Sequence, residues 1–174
     1  MTDYIELHAR SAFSFLEGAS TPEELIGACS ELEMPAMALL DRDGVYGAAR
    51  FHLAAKKIRI KAHIGAEVSV QRPTSEDQRP KEIVSIPLLV RNRTGYQNLC
   101  RLITLMKMRV PKHAKPGECT VTPNELAERA EGLVCLTGGS DGLLAKDFHD
   151  RGHRGAQRNA EWLIDVFGRG NVYA

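Results

Sequence analysis

The chain has 174 residues and a mass of 19.2 kDa, the size of one compact domain with a real core, which argues against a peptide hormone or a multidomain machine. Its 43% hydrophobic and 26% charged content excludes wholesale disorder. The 23 Lys and Arg against 22 Asp and Glu leave a formal charge of +1, so the whole-chain field draws neither nucleic acid nor anionic membrane, and any such contact must rest on a local patch.

Residues 4–7 predict a short strand running into the polar loop His8-Ala9-Arg10-Ser11. Thr21 is a good N-cap, Pro22 suits the first helical position and Glu24 completes a capping box, so a helix is expected to residue 32. A strand over 36–40 ends on Asp41-Arg42-Asp43-Gly44, and residues 46–58 have helical spacing with Phe51, Leu53, Ala54 and Ala55 inward. Residues 62–70 read as a strand carrying Glu67, and the polar stretch 71–82, with Pro73 and Pro80, as an exposed loop. Beyond it a strand over 84–90, a helix capped by Thr94 and running to 108, and a Pro- and Lys-rich connection over 110–120 follow. Thr122-Pro123-Asn124-Glu125 repeats the helix start seen at Thr21. A short helix to 130, a strand over 133–136, one or two helices ending near Phe167 and a strand beginning at Val172 complete the chain. Alternating strands and amphipathic helices imply an α/β fold of parallel strands, either an open sheet or a barrel, with chemistry at the strand C-termini.

Cys29, Cys100, Cys119 and Cys135 form no CxxC pair, the N-terminus lacks the layout of a signal peptide, and no apolar run approaches the ~20 residues of a membrane span. A cytoplasmic location without a membrane is expected.

Near the strand ends the candidate metal ligands are His8, Glu17, Asp41, Asp43, His63 and Glu67. Arg10, two residues after His8 and on the same face of an extended segment, and Arg42, between Asp41 and Asp43, disfavour a cation there. No P-loop, dinucleotide or nucleophile-elbow motif is present. Gly138-Gly139-Ser140-Asp141-Gly142 reads as a tight turn and helix cap, or as an anion cradle at a helix start. Residues 83–117 contain no acid, while Arg91, Arg93, Arg101, Lys107, Arg109, Lys112 and Lys115 supply positive charge. Of these, Arg101, Lys107, Arg109 and Lys112 are candidates for nucleic-acid contact, against the alternative of a solvated helix face.

The run Tyr4-Ile5-Glu6-Leu7-His8-Ala9-Arg10-Ser11, then Phe13-Ser14-Phe15-Leu16-Glu17-Gly18-Ala19-Ser20, resembles the opening of the polymerase and histidinol phosphatase (PHP) domain of bacterial DNA polymerase III alpha-type chains. Leu40-Asp41-Arg42-Asp43-Gly44-Val45-Tyr46-Gly47, Ile64-Gly65-Ala66-Glu67, Thr94-Gly95-Tyr96-Gln97-Asn98-Leu99-Cys100 and Gly132-Leu133-Val134-Cys135-Leu136-Thr137-Gly138-Gly139 continue it in order. The wording is most like the error-prone, damage-tolerant branch.

The resemblance implies a PHP-type (β/α) barrel, incomplete here, with residues 1–174 its N-terminal portion, stopping before the barrel closes. In metal-binding members the first motif is His-x-His, the following loop ends in Asp, and the second strand leads into Asp-His. By that pattern His8, Glu17, Asp41 and Glu67 mark a degenerate, unoccupied metal site, and Arg10, Arg42, Ser85 and Gly139 stand where further ligands are expected. The resemblance implies a non-catalytic scaffold module of an error-prone polymerase acting in DNA replication and repair. Its partners would be the remainder of the polymerase chain and, through it, DNA, and the fragment is expected to self-associate. No cofactor is expected in this portion; magnesium would serve the parent polymerase. The alternative is a metal-dependent phosphoesterase, either a 3′–5′ exonuclease or histidinol-phosphatase-like, and only that reading calls for zinc or manganese.

Overall fold

The computed structural model describes residues 4–72, 82–111 and 118–174, which fall into two compact units, Met1–Glu67 and Val68–Ala174. In the first, strands β1 (Glu6–Ala9), β2 (Ala36–Arg42) and the start of β3 (Lys61–Gln71) alternate with helices α1 (Pro22–Glu31) and α2 (Ala48–Ile58). β1 pairs with β2, and β2 with β3, in parallel. The near-continuous apolar run of β2 is buried on both faces, as a central parallel strand requires. Thr21 and Glu24 form the expected reciprocal cap at the start of α1. Ile26 and Cys29 of α1, Met37 and Leu39 of β2, and Phe51 and Ala55 of α2 make one buried cluster.

Three local expectations are corrected. β1 lies two residues later than expected, so His8 is a strand residue rather than a loop residue. Helix α2 starts at Ala48. Leu53 is exposed, because two residues on from the buried Phe51 the helix has turned most of the way to its other side.

In the second unit the end of β3 leads to β4 (Ile83–Val90), α3 (Arg93–Met108), α4 (Pro123–Ala127), β5 (Leu133–Leu136), α5 (Leu143–Phe167) and β6 (Val172–Tyr173). α3 buries Leu99, Leu102 and Met106, and its cap is Asn92 rather than Thr94. α4 carries the second capping box, at Thr122 and Glu125. α5 is broken at Gly152, whose φ of 66° and ψ of −166° are not helical.

The strand order is β1-β2-β3 in the first unit and β3-β4-β5-β6 in the second. Neither run reverses, which is the succession of an incomplete (β/α) barrel rather than of a doubly wound sheet. The α/β class therefore holds, but not every strand is parallel: β4 runs antiparallel to β5, while β5 and β6 are parallel. The reason lies in the connection before β4. A parallel return needs a long crossover, usually helical. Here the Arg72 N–H donates to the Glu82 carbonyl at 2.8 Å, closing the base of the connection so that β4 starts beside the end of β3. Most of the expected loop over 71–82, and residues 112–117 of the later connection with Lys112 among them, lie outside the described residues.

Candidate functional site at the strand ends of the first unit

The C-terminal ends of β1, β2 and β3 bring His8, Arg10, Glu17, Arg42 and Glu67 together. His8 and Arg10 are two residues apart on extended chain and share a face. Arg42 and Glu67 are register partners on β2 and β3. Glu67 is buried, with a side chain 2% exposed. Its Oε2 lies 2.9 Å from His8 Nε2 and accepts from Arg10 Nε at 2.7 Å, with a second Arg10 nitrogen also in contact. Arg10 Nη1 lies 3.0 Å from the other carboxylate of the group, Glu17 Oε2. Arg42 Nη1 reaches Glu17 Oε1 at 2.9 Å. One guanidinium thus bridges two carboxylates, and a second takes the remaining oxygen of Glu17. These are charge-assisted contacts, and Arg10 and Glu67 hold theirs largely out of water.

Asp41 is 1% exposed and does not pair with either arginine. Its Oδ1 accepts from the Ser11 N–H at 2.8 Å, the Ser11 hydroxyl at 2.8 Å and the Ser14 hydroxyl at 3.0 Å, and Oδ2 accepts from the Gly47 N–H at 3.3 Å. Ser14 Oγ in turn accepts from the Arg42 N–H at 3.0 Å. Two backbone positions admit only glycine here. A Cβ on Gly18 would stand 2.2 Å from the Ser11 carbonyl oxygen, and one on Gly47 would stand 2.7 Å from Asp41 Oδ2. The loop over 11–18 is therefore clamped to the end of β2 by Asp41 and by Arg42 on Glu17, and to the end of β1 by Arg10 on Glu17, the same guanidinium that holds Glu67 of β3. Sequence reasoning missed Ser11, Ser14 and Gly47. The signal available was two hydroxyls three apart in a loop that faces a strand-end Asp.

The remaining candidates fall elsewhere. His63 is near the start of β3, four residues before Glu67 and so roughly 13 Å away along the strand. Burial and the neighbouring Lys61 hold its pKa below the usual imidazole range. The Asp43 N–H donates to the Glu67 carbonyl at 2.9 Å. Ser85, buried on β4, and Gly139, exposed in the turn before α5, belong to the second unit. That turn is closed by the Gly142 N–H donating to the Gly139 carbonyl, and Gly142 caps α5. Of the basic candidates, Arg101 and Lys107 are exposed on α3. Arg109 donates to the Thr120 carbonyl and pairs with Glu125.

As a ligand set for zinc or manganese the rim does not fit. A metal needs several neutral or anionic donors with lone pairs turned to one point. Here Glu67 and Glu17 direct theirs at guanidinium groups, which keep their charge at any ordinary pH, and Asp41 directs its at hydroxyls and amides. Among the described residues no group of three or more His, Cys, Asp or Glu is placed to hold a metal ion. No helix among them is long and apolar enough to cross a membrane.

A family model described as PHP domain matches residues 6–174. Curated relatives include an error-prone DNA polymerase from Mycolicibacterium paratuberculosis, 37% identical over 97% of this chain and 15% of that protein. One from Anaeromyxobacter sp. is 40% identical over 80% of this chain and 12% of that protein. One from Mycobacterium tuberculosis is 36% identical over 94% of this chain and 15% of that protein. The chain thus spans about an eighth to a seventh of the length of the curated relatives it matches. Among solved structures, an amidohydrolase from Chromobacterium violaceum overlays 91% of this chain and 43% of that one at a TM-score of 0.46 and 23% identity, too distant to bear on function.

Proposed function

The chain belongs to the PHP domain family, and from that premise we propose that it is a non-catalytic N-terminal module of an error-prone DNA polymerase, supplying scaffold rather than chemistry. The observation that carries this reading is the Arg10 guanidinium lodged between Glu67 and Glu17, at the position where metal-binding members carry their second His. Arg10 and Arg42 together bring two positive charges to the rim, the same formal charge as one divalent cation. The two guanidinium groups thus balance Glu17 and Glu67 with no metal. The strand ends and the clamped loop are held by side chains alone, which is what a scaffold requires and what a hydrolytic centre, with its open position for water, does not.

On this reading the partner of the module is the remainder of a polymerase chain, which meets DNA in replication and repair in the cytoplasm and takes magnesium at its own catalytic centre. The test is release of phosphate from a model aryl phosphate ester, and of nucleotide from a DNA 3′ end, by the purified protein supplied with manganese or zinc. No turnover above the metal-only control is expected. Arg42→His is expected to remain equally inactive, because Arg10 still holds Glu67 and Glu17. Metal-dependent turnover that disappears with a chelator would overturn the reading in favour of a phosphoesterase.

A further inference from the structure

We propose that the face of α5 around its break at Gly152 is a binding surface for the phosphate backbone of DNA, with Arg154 and Arg158 as principal contacts. The inference rests on the polymerase reading only for the choice of DNA among polyanions. The surface itself is argued from charge and placement.

From Lys146 to Arg158 the sequence carries Lys146, His149, Arg151, His153, Arg154 and Arg158 against two acids, Asp147 and Asp150. The structure buries Asp147 and leaves Asp150, 44% exposed, in ion pairs with Arg72 and His149. Asp147 is 1% exposed and paired with Arg72, itself buried at the end of β3. Asp150 accepts from Arg72 at 2.8 Å and lies 3.1 Å from His149 Nδ1. These contacts with His149 and Arg72 hold the Asp150 carboxyl below the usual carboxylate range. Lys146 is also engaged, on the Ile83 carbonyl. A segment that is mixed in sequence therefore presents net positive charge to solvent.

The buried stripe of α5 runs through Asp147, Gly155, Asn159 and Leu163. Arg154 and Arg158 each precede a stripe residue by one and are four apart, so they stand side by side on its flank, both exposed. Among the described residues neither forms an ion pair. Two like charges at this spacing cost a helix some tenths of a kcal/mol, a cost relieved when a polyanion lies across them. His153 is exposed beside them, and Gly152 breaks the helix in a backbone conformation that is open essentially to glycine alone. The contrast is with α3, where Arg101 and Lys107 are six residues apart and so do not share a face, and where Arg109, just past the last turn, is already held by Glu125.

The test is fluorescence anisotropy of the whole protein with a labelled primer–template and with a labelled single strand, across salt from about 50 to 200 mM. Binding that weakens with salt is expected. Arg154→Ala with Arg158→Ala should reduce the slope of log affinity against log salt by roughly 2, with an unchanged melting temperature. Arg101→Ala with Lys107→Ala should leave the slope as it is. An unaltered slope in the α5 variant, no binding to DNA at the lowest salt, or binding only to phosphatidylserine vesicles would each overturn the proposal. None of these outcomes touches the polymerase reading, which the metal-activity assay decides separately.

Discussion

Arg10→Met should destabilise the protein by about 3–5 kcal/mol, the loss seen when one partner of a buried ion pair is removed and the other charge is left behind. Glu67 has a side chain only 2% exposed, and its Oε2 is held by Arg10 Nε at 2.7 Å. Methionine fills the volume of the arginine stem but offers the carboxylate nothing, leaving it only His8 Nε2 at 2.9 Å. Arg10 is itself 24% exposed, so water reaching the vacated position places the loss nearer the lower figure. Urea denaturation measures it. The double variant Arg10→Met with Glu67→Gln separates charge from packing: most of the loss should be recovered, since the uncompensated charge is gone. A loss in the single variant within about 0.5 kcal/mol of zero, as at an ordinary surface position, would mean that the pair does not hold the rim together.

Asp41→Ala is expected to cost about as much by a different route. The carboxylate satisfies the hydroxyls of Ser11 and Ser14 and the amides of Ser11 and Gly47, and both serines are buried. Each donor stranded without water costs about 1–3 kcal/mol, reduced where the loop relaxes. The loss should be concentrated in the loop over 11–18, so hydrogen exchange at the Ser11 amide should accelerate far more than exchange at Phe51 in α2. Asp41→Asn should fall between wild type and alanine. Its oxygen can still face the Ser11 amide and the hydroxyls, but its NH2 would then meet the Gly47 N–H, donor against donor. Equal acceleration throughout the first unit would show that Asp41 acts on the fold as a whole rather than as a clamp on this loop.

Much of this fold was legible because its signals are local. Thr21-Pro22-x-Glu24 and Thr122-Pro123-x-Glu125 each begin a helix with the reciprocal cap that their spacing implies. The apolar run of β2 and the stripe of α3 follow directly from hydrophobic period. The direction of β4 was not legible, since alternation of strand and helix does not show that β4 starts beside the end of β3. The rim was legible in its membership but not in which carboxylate each arginine takes. Arg10 and Arg42 stand out at motif positions, yet only the structure assigns both to Glu17 and gives Asp41 to two serines instead. Arg72 with Asp147 lay beyond reach altogether. The two residues are 75 apart, on a strand end and a helix, and neither belongs to a pattern that would have paired them.

On the proposed reading, guanidinium groups take the place of a metal at the strand ends of the first unit. Elemental analysis of the purified protein, after equilibration with zinc or manganese and gel filtration, tests it most directly. No stoichiometric metal is expected, because the lone pairs of Glu17, Glu67 and Asp41 are already directed at Arg10, Arg42 and the two serines. Retention of about one or more ions per chain, lost on substitution of His8 or Glu67, would contradict the account and return the rim to the metal-binding members of the family.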